Sequence, residues 1–218
     1  MAQRRAAQLG GLIRSGQSAT AIGLAFNGLA AYVFLAAAGR SLGPAEFAPL
    51  SVLWTMLFLV ATGLFQPFEQ ELARAVSANR SLGLGYSEVV RRNAVVAAAL
   101  VACVILIGAI AAGPIAEGFF RGERSFVIAL VVGIAGIGFM FFVRGLLAGS
   151  GRFYGFAVLF VADGLTKSLP AVIFWLAGGR NPSVFVAVLV AGGFVGGAAP
   201  LTRGGVRATD PGPIPQWG

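Results

Sequence analysis

Residues 153–177 run FYGFAVLFVADGLTKSLPAVIFWLA, an apolar stretch that carries two opposite charges, Asp163 and Lys167, one helical turn apart. A helix of this length spans a hydrocarbon core of about 30 Å at 1.5 Å per residue. Its centre falls near Leu165, so the two charges straddle the bilayer midplane. On an insertion scale each charge there costs about 2.5–3.5 kcal/mol, and each Leu, Ile, Phe or Val returns about 0.3–0.6 kcal/mol. The twelve such residues in the stretch offset roughly 4–7 kcal/mol, so the sum is near zero. Asp163 precedes Lys167 in the order that favours a helical ion pair. The pair is expected to neutralise itself and to face the protein interior or a wet cavity. Intramembrane charges are functional candidates, and transporter sites lie near the midplane. A purely structural pair that orders the bundle is the alternative.

The rest of the chain has the same character. Of 218 residues, 57% are hydrophobic and 11% charged, against about 25% charged in soluble domains; mean hydropathy is +0.85. Six apolar segments follow one another: Ala19–Ala38, Phe47–Phe65, Ala94–Ala112, Phe126–Leu147, Phe153–Ala177 and Val184–Ala199. The expected fold is all-α, a polytopic six-helix transmembrane bundle. Residues 1–18 form a cytoplasmic N-terminal segment, 19–200 the six-span lobe, and 201–218 a flexible cytoplasmic tail or inter-lobe linker rich in Gly and Pro. The longest connection, Gln66 to Asn93, is polar and expected to be partly helical.

Arginine placement orients the spans. With the N-terminus inside, eleven arginines fall on the inner side and four (Arg40, Arg121, Arg124, Arg180) on the outer, a positive-inside bias that puts both termini in the cytoplasm. This accounts for the net charge of +8 without a nucleic-acid partner. A cleaved signal peptide ending at FLAAAG is the rival for the first segment, but its apolar run of about 20 residues exceeds the usual 7–15. Fifteen arginines to one lysine, with abundant Gly and Ala, points to a GC-rich bacterial genome and so to a bacterial plasma membrane.

Several chemistries are excluded or unsupported. There is no histidine and a single cysteine, Cys103, so neither an internal disulfide nor a His/Cys metal site can form. A Ser–His protease is likewise ruled out. DGLTKS ends like a phosphate-binding loop but lacks the Gly before Lys and sits in an apolar run. No paired-carboxylate site and no cofactor motif is evident, and no enzyme activity is expected.

Other local patterns are more informative. In GRSLGPAEFAPL, Gly39 and Gly43 suit positive φ at a helix end, Pro44 the first helical position and Glu46 a helix N-terminus, which predicts a tight hairpin between the first two spans. In FQPFEQELARAV, Gln66, Glu69, Gln70 and Arg74 share one helical face, either a solvated cap or the rim of a polar cavity. Asn27 lies mid-way along the first span, where it would bond across helices or contact substrate. Gly192 with Gly196, and Gly193 with Gly197, have the spacing of close helix packing, within the lobe or between lobes. Gly133, Gly136, Gly138 and Pro170 are candidate soft points.

The segment GRSLGPAEFAPLSVLWTMLFLVATGLFQPFEQELARAVSANR is similar to the start of bacterial polysaccharide flippases of the multidrug/oligosaccharidyl-lipid/polysaccharide exporter superfamily. Leu42, Gly43, Pro44, Glu46 and Phe47 match an LGP-x-EFG-like turn, with Ala48 in place of the Gly; Leu72, Ala73, Arg74 and Val76 match LAR-x-V. LLAGSGRFYGFAVLFVADGLTKSLPAVI resembles the connection into the fifth span. The resemblance covers roughly Ala19 to Pro200. It implies two six-helix lobes around a central cavity, alternating access, and export of polyprenyl-pyrophosphate-linked sugars. Under it Lys167 would attract the headgroup's negative charge, Asp163 would balance Lys167 and carry a coupling proton, and Arg74 and Arg144 would attract phosphate on the inner side. Members have twelve or more spans, so this chain resembles the N-terminal lobe: a half-transporter that pairs with an identical chain, the partner of a separate second lobe, or a truncated product. A drug or small-solute exporter of the same superfamily, or a non-transporting scaffold in a polysaccharide-synthesis complex, are the alternatives.

Overall fold

Phe34 and Trp54 stack with ring centroids 5.7 Å apart, although a straight helix would separate them by about 30 Å. The chain therefore folds back between them, and Gly43 is the point of reversal, with φ 71° and ψ 172°. The computed structural model describes residues 2–202, with the backbone alone at 2–15 and 17. In it α1 (Ala2–Val60) consists of two arms, 2–42 and 44–60, hinged at Gly43. Pro44 opens the second arm, where a missing N–H costs nothing. Gly43 alone supplies the positive φ; Gly39 stays in the helix. Beside the hinge, the Ser41 hydroxyl donates to the carbonyl of Gly179 and the Arg40 guanidinium lies 5.9 Å from the Trp175 ring centroid. Both tie the hairpin to the turn between the last two helices.

The second arm runs through a π-helical segment, Ala61–Phe65, into α2 (Gln66–Ser81) without a loop. Residues 44–81 thus form a rod of roughly 57 Å at 1.5 Å per residue, far longer than a bilayer core needs. The connection expected between Gln66 and Asn93 is mostly helix, because α3 (Ser87–Ile110) starts at Ser87 rather than Ala94. A short helix absent from the sequence expectation, α4 (Ala112–Phe119), precedes a turn at Arg121 and Gly122, both at positive φ. There follow α5 (Arg124–Gly149), α6 (Phe153–Leu176) and α7 (Pro182–Thr202). The tail from residue 203, with Arg203 and Arg207, lies outside the described residues. Among those residues there is no strand, and five helical stretches are long and apolar enough to cross a membrane; the first contains both arms of the hairpin, which taken separately make six.

Helix α5 is apolar all round and buried on most of its length, touching every other helix, as expected of a central helix. It runs unbroken through Gly133, Gly136 and Gly138, which are seats for Leu57, Phe194 and Phe65 rather than kinks. Helix α3 is the opposite case: 11% of its apolar window is buried, and Val95, Val96, Leu106 and Ile110 face outward. At the end of the bundle away from Gly43, Arg80 donates to the carbonyl of Ser150, where α5 ends and free carbonyls favour a cation.

Helix α7 uses both of its glycine stripes inside the chain. Gly192 and Gly196 meet α6, and Gly193 and Gly197 meet α5. A Cβ on Gly193 would lie 2.8 Å from the carbonyl carbon of Gly136, backbone that has no rotamer to escape into. Gly193→Leu is expected to destabilise the bundle by at least the 1–3 kcal/mol typical of overpacking. A thermal melt of the purified variant checks this, and an unchanged midpoint would mean that α5 and α7 are not in backbone contact.

Candidate functional site

The first arm of α1 approaches α6 closely because small residues face each other. A Cβ on Gly23 would lie 3.0 Å from the Ala157 backbone, and one on Gly164 would lie 3.0 Å from the Ala30 Cβ. Asn27 sits between these two contacts. Its Nδ2 donates to Asp163 Oδ2 at 2.9 Å, and Lys167 Nζ donates to the same oxygen at 2.7 Å. The side chains of Asp163 and Lys167 are 4% and 11% exposed. Helix α7 closes the third side: a Cβ on Gly192 would come within 2.6 Å of Asp163 Oδ1 and 3.0 Å of Lys167 Cγ, and one on Gly196 within 2.8 Å of Asp163 Cβ. The Lys167 ammonium lies 5.6 Å from the Trp54 ring centroid, within cation–π range.

A second buried ion pair joins α2 to α5. Arg144 and Glu69 are 3.0 Å apart, with side chains 19% and 10% exposed. The Arg144 guanidinium also faces the rings of Phe141, Phe160 and Phe156, at 4.2, 5.2 and 5.5 Å to the centroids. Glycines again permit the approach: a Cβ on Gly145 would lie 2.9 Å from the Glu69 carbonyl oxygen, and one on Gly149 2.7 Å from that of Ala73.

Asp163, Lys167 and Arg144 border one cavity of about 320 Å³, walled by the two arms of α1, the π-helical segment, α2, α5, α6 and α7. Its polar lining is Asn27, Thr62, Gln66, Arg144, Asp163 and Lys167; Trp54, Phe58, Met140 and Phe141 supply much of the apolar wall. The volume is at the lower end of small-molecule sites. Phe58 and Gln66 are exposed, so the cavity opens at the surface of the bundle beside the second arm. Each cation has its own carboxylate, and the two pairs together are neutral. Among the described residues no cluster of His, Cys, Asp and Glu could hold a metal ion.

Of the residues singled out from sequence, Asn27, Asp163, Lys167 and Arg144 therefore meet at the cavity, and Glu69 stands behind Arg144. Gln70 and Arg74 do not join them. The buried side of α2 is Phe68, Glu69, Leu72 and Val76; at 100° per residue, Arg74 points about 140° away from Glu69. Arg74 instead forms an exposed pair with Glu71 at 2.7 Å, the type that contributes little. Trp54, Thr62 and Gly192 are site residues that the sequence expectation did not name as such. The signal for Glu69 was its place in the stripe Phe65, Phe68, Leu72, Val76, spaced for one helical face. No match was found among known protein families, curated proteins or solved structures.

Proposed function

We propose that this chain is one lobe of a two-lobe transporter of a bacterial plasma membrane, which flips a lipid-linked oligosaccharide or polysaccharide precursor by alternating access. The observation that carries this is the Asn27–Asp163–Lys167 cluster on a cavity near the middle of α6. Charges at that depth are costly to keep and accompany substrate or ion pathways. Two cations, Lys167 and Arg144, border the space, which suits an anionic headgroup; the apolar wall and the sideways opening suit its lipid tail. An opening that exposes polar residues to the bundle's flank is where a second lobe, an identical copy or a separate chain, would complete the site. The choice of a lipid-linked sugar rests on the sequence resemblance.

The test is flux in proteoliposomes holding this chain with its partner lobe, using a fluorescent polyprenyl-diphosphate sugar. The Asp163→Asn/Lys167→Met double variant should fold and lose at least tenfold in rate, as follows from removing a charged contact of about 1.5–3 kcal/mol. Full flux in that variant would reduce the pair to a staple between helices. Transport of a lipophilic dye instead would favour a small-solute exporter, and transport of neither a scaffold.

A further inference from the structure

The cavity is neutral as built, and that bears on how it takes an anion. Lys167 is held by Asp163 and Arg144 by Glu69, so neither cation is free for a ligand. The two partners of the first pair differ in freedom. Asp163 is fixed: its short side chain lies against Gly192 and Gly196 of α7, where even a Cβ would clash with it, and Asn27 donates to it independently of Lys167; Gly192 also meets the Lys167 stem, but only as far as Cγ and Cδ. Lys167 is the end of a flexible four-carbon stem that borders the cavity and lies over Trp54.

Resting on the reading that the cavity receives a phosphorylated headgroup, we propose that Asp163 is a resident counter-anion, which an entering anion must displace from Lys167. On exchange Lys167 swings toward the ligand, and Asp163 keeps Asn27 as its donor. The arrangement selects by charge density. A neutral or weakly charged ligand cannot outbid a carboxylate already in place at 2.7 Å, whereas a diphosphate, with more charge and more acceptor oxygens, can. Asp163 is thus a specificity-determining residue that weakens anion binding in order to restrict it, the negative half of discrimination.

Trp54 reports the exchange, because the Lys167 ammonium leaves its ring. The experiment uses the chain in lipid nanodiscs with Trp175→Phe and Trp217→Phe, leaving Trp54 as the sole indole, titrated with farnesyl diphosphate and with farnesol. Farnesyl diphosphate should change Trp54 emission and farnesol should not. The folded fraction of Asp163→Asn should bind the diphosphate about tenfold more tightly, and Asn27→Leu, which keeps the ion pair but strands the displaced carboxylate, about tenfold more weakly; both factors correspond to one charge-assisted hydrogen bond. Equal or weaker binding by Asp163→Asn overturns the exchange, as does unchanged binding by Asn27→Leu, which also decides the matter if Asp163→Asn yields no folded protein. Binding by wild type that none of these variants alters leaves the transport reading standing and removes the counter-anion. No diphosphate binding by wild type or Asp163→Asn removes both.

Discussion

Asp163→Asn and Lys167→Met, made singly, should each cut the folded yield sharply, and the double variant should restore it. The two side chains are almost wholly enclosed, and they are bonded at 2.7 Å. Removing one partner leaves an uncompensated charge in low dielectric, at a cost of about 3–5 kcal/mol, while replacing both is often nearly neutral. Lys167→Met should be the milder of the two, since Asn27 still donates to Asp163, whereas Asp163→Asn leaves Lys167 with a weaker acceptor and the Trp54 ring. Fluorescence-detected size exclusion in mild detergent, followed by thermal melts, measures all three. Normal yields from both single variants would mean that the pair is solvated and that α6 sits differently in the bundle.

The second pair should respond asymmetrically. In Glu69→Gln the Arg144 guanidinium keeps three aromatic faces, and a desolvated cation–π contact contributes on the order of 2 kcal/mol. In Arg144→Leu the Glu69 carboxylate has no comparable refuge: its Oε2, the atom that faces Arg144, is buried and has no other polar partner. Arg144→Leu should therefore destabilise by about 3–5 kcal/mol, and Glu69→Gln by roughly 2 kcal/mol less. Melting midpoints of the two variants settle the order. If Glu69→Gln were the worse, the rings would not be holding the guanidinium, and α2 would be anchored by Glu69 through some other contact.

The spans and the first hairpin were legible because apolar runs and the Gly43–Pro44 step are local signals. The Asp163–Lys167 pair was legible for the same reason, both residues lying on one helix a turn apart. Asn27 was visible as a polar residue in mid-span, but sequence has no means of naming Asp163 as its partner, since that contact depends on how the first arm crosses α6. Residues 66–81 were legible as partly helical, but their polarity hid that they continue the second arm without a break: hydropathy marks what enters lipid, not where a helix stops. Glu69 was grouped with Gln70 and Arg74 by spacing, but that spacing spans about 140° of the helix, and the buried company of Glu69 is Phe68, Leu72 and Val76. Arg144 is far from Glu69 in the chain, and only the glycine seats at 145 and 149 bring their helices close enough to pair.

The wide turn at Ala61–Phe65 has a consequence for the whole rod of residues 44–81. Its stripe of buried aliphatic and aromatic residues, Leu50, Leu53, Leu57, Ala61, Phe65, Phe68, Leu72 and Val76, recurs at a mean interval of about 3.7 residues, longer than the 3.6 of an α-helix. Over that length an uninterrupted α-helix would let the stripe drift by roughly 80° around its axis. A π-helical turn holds more residues than an α-turn, so it winds the drift back at one place. The segment is a phase correction, like the leap day of a calendar whose year is not a whole number of days. It keeps the lower half of the rod in step with the upper, and that is why Glu69 arrives on the same side of the molecule as Leu57.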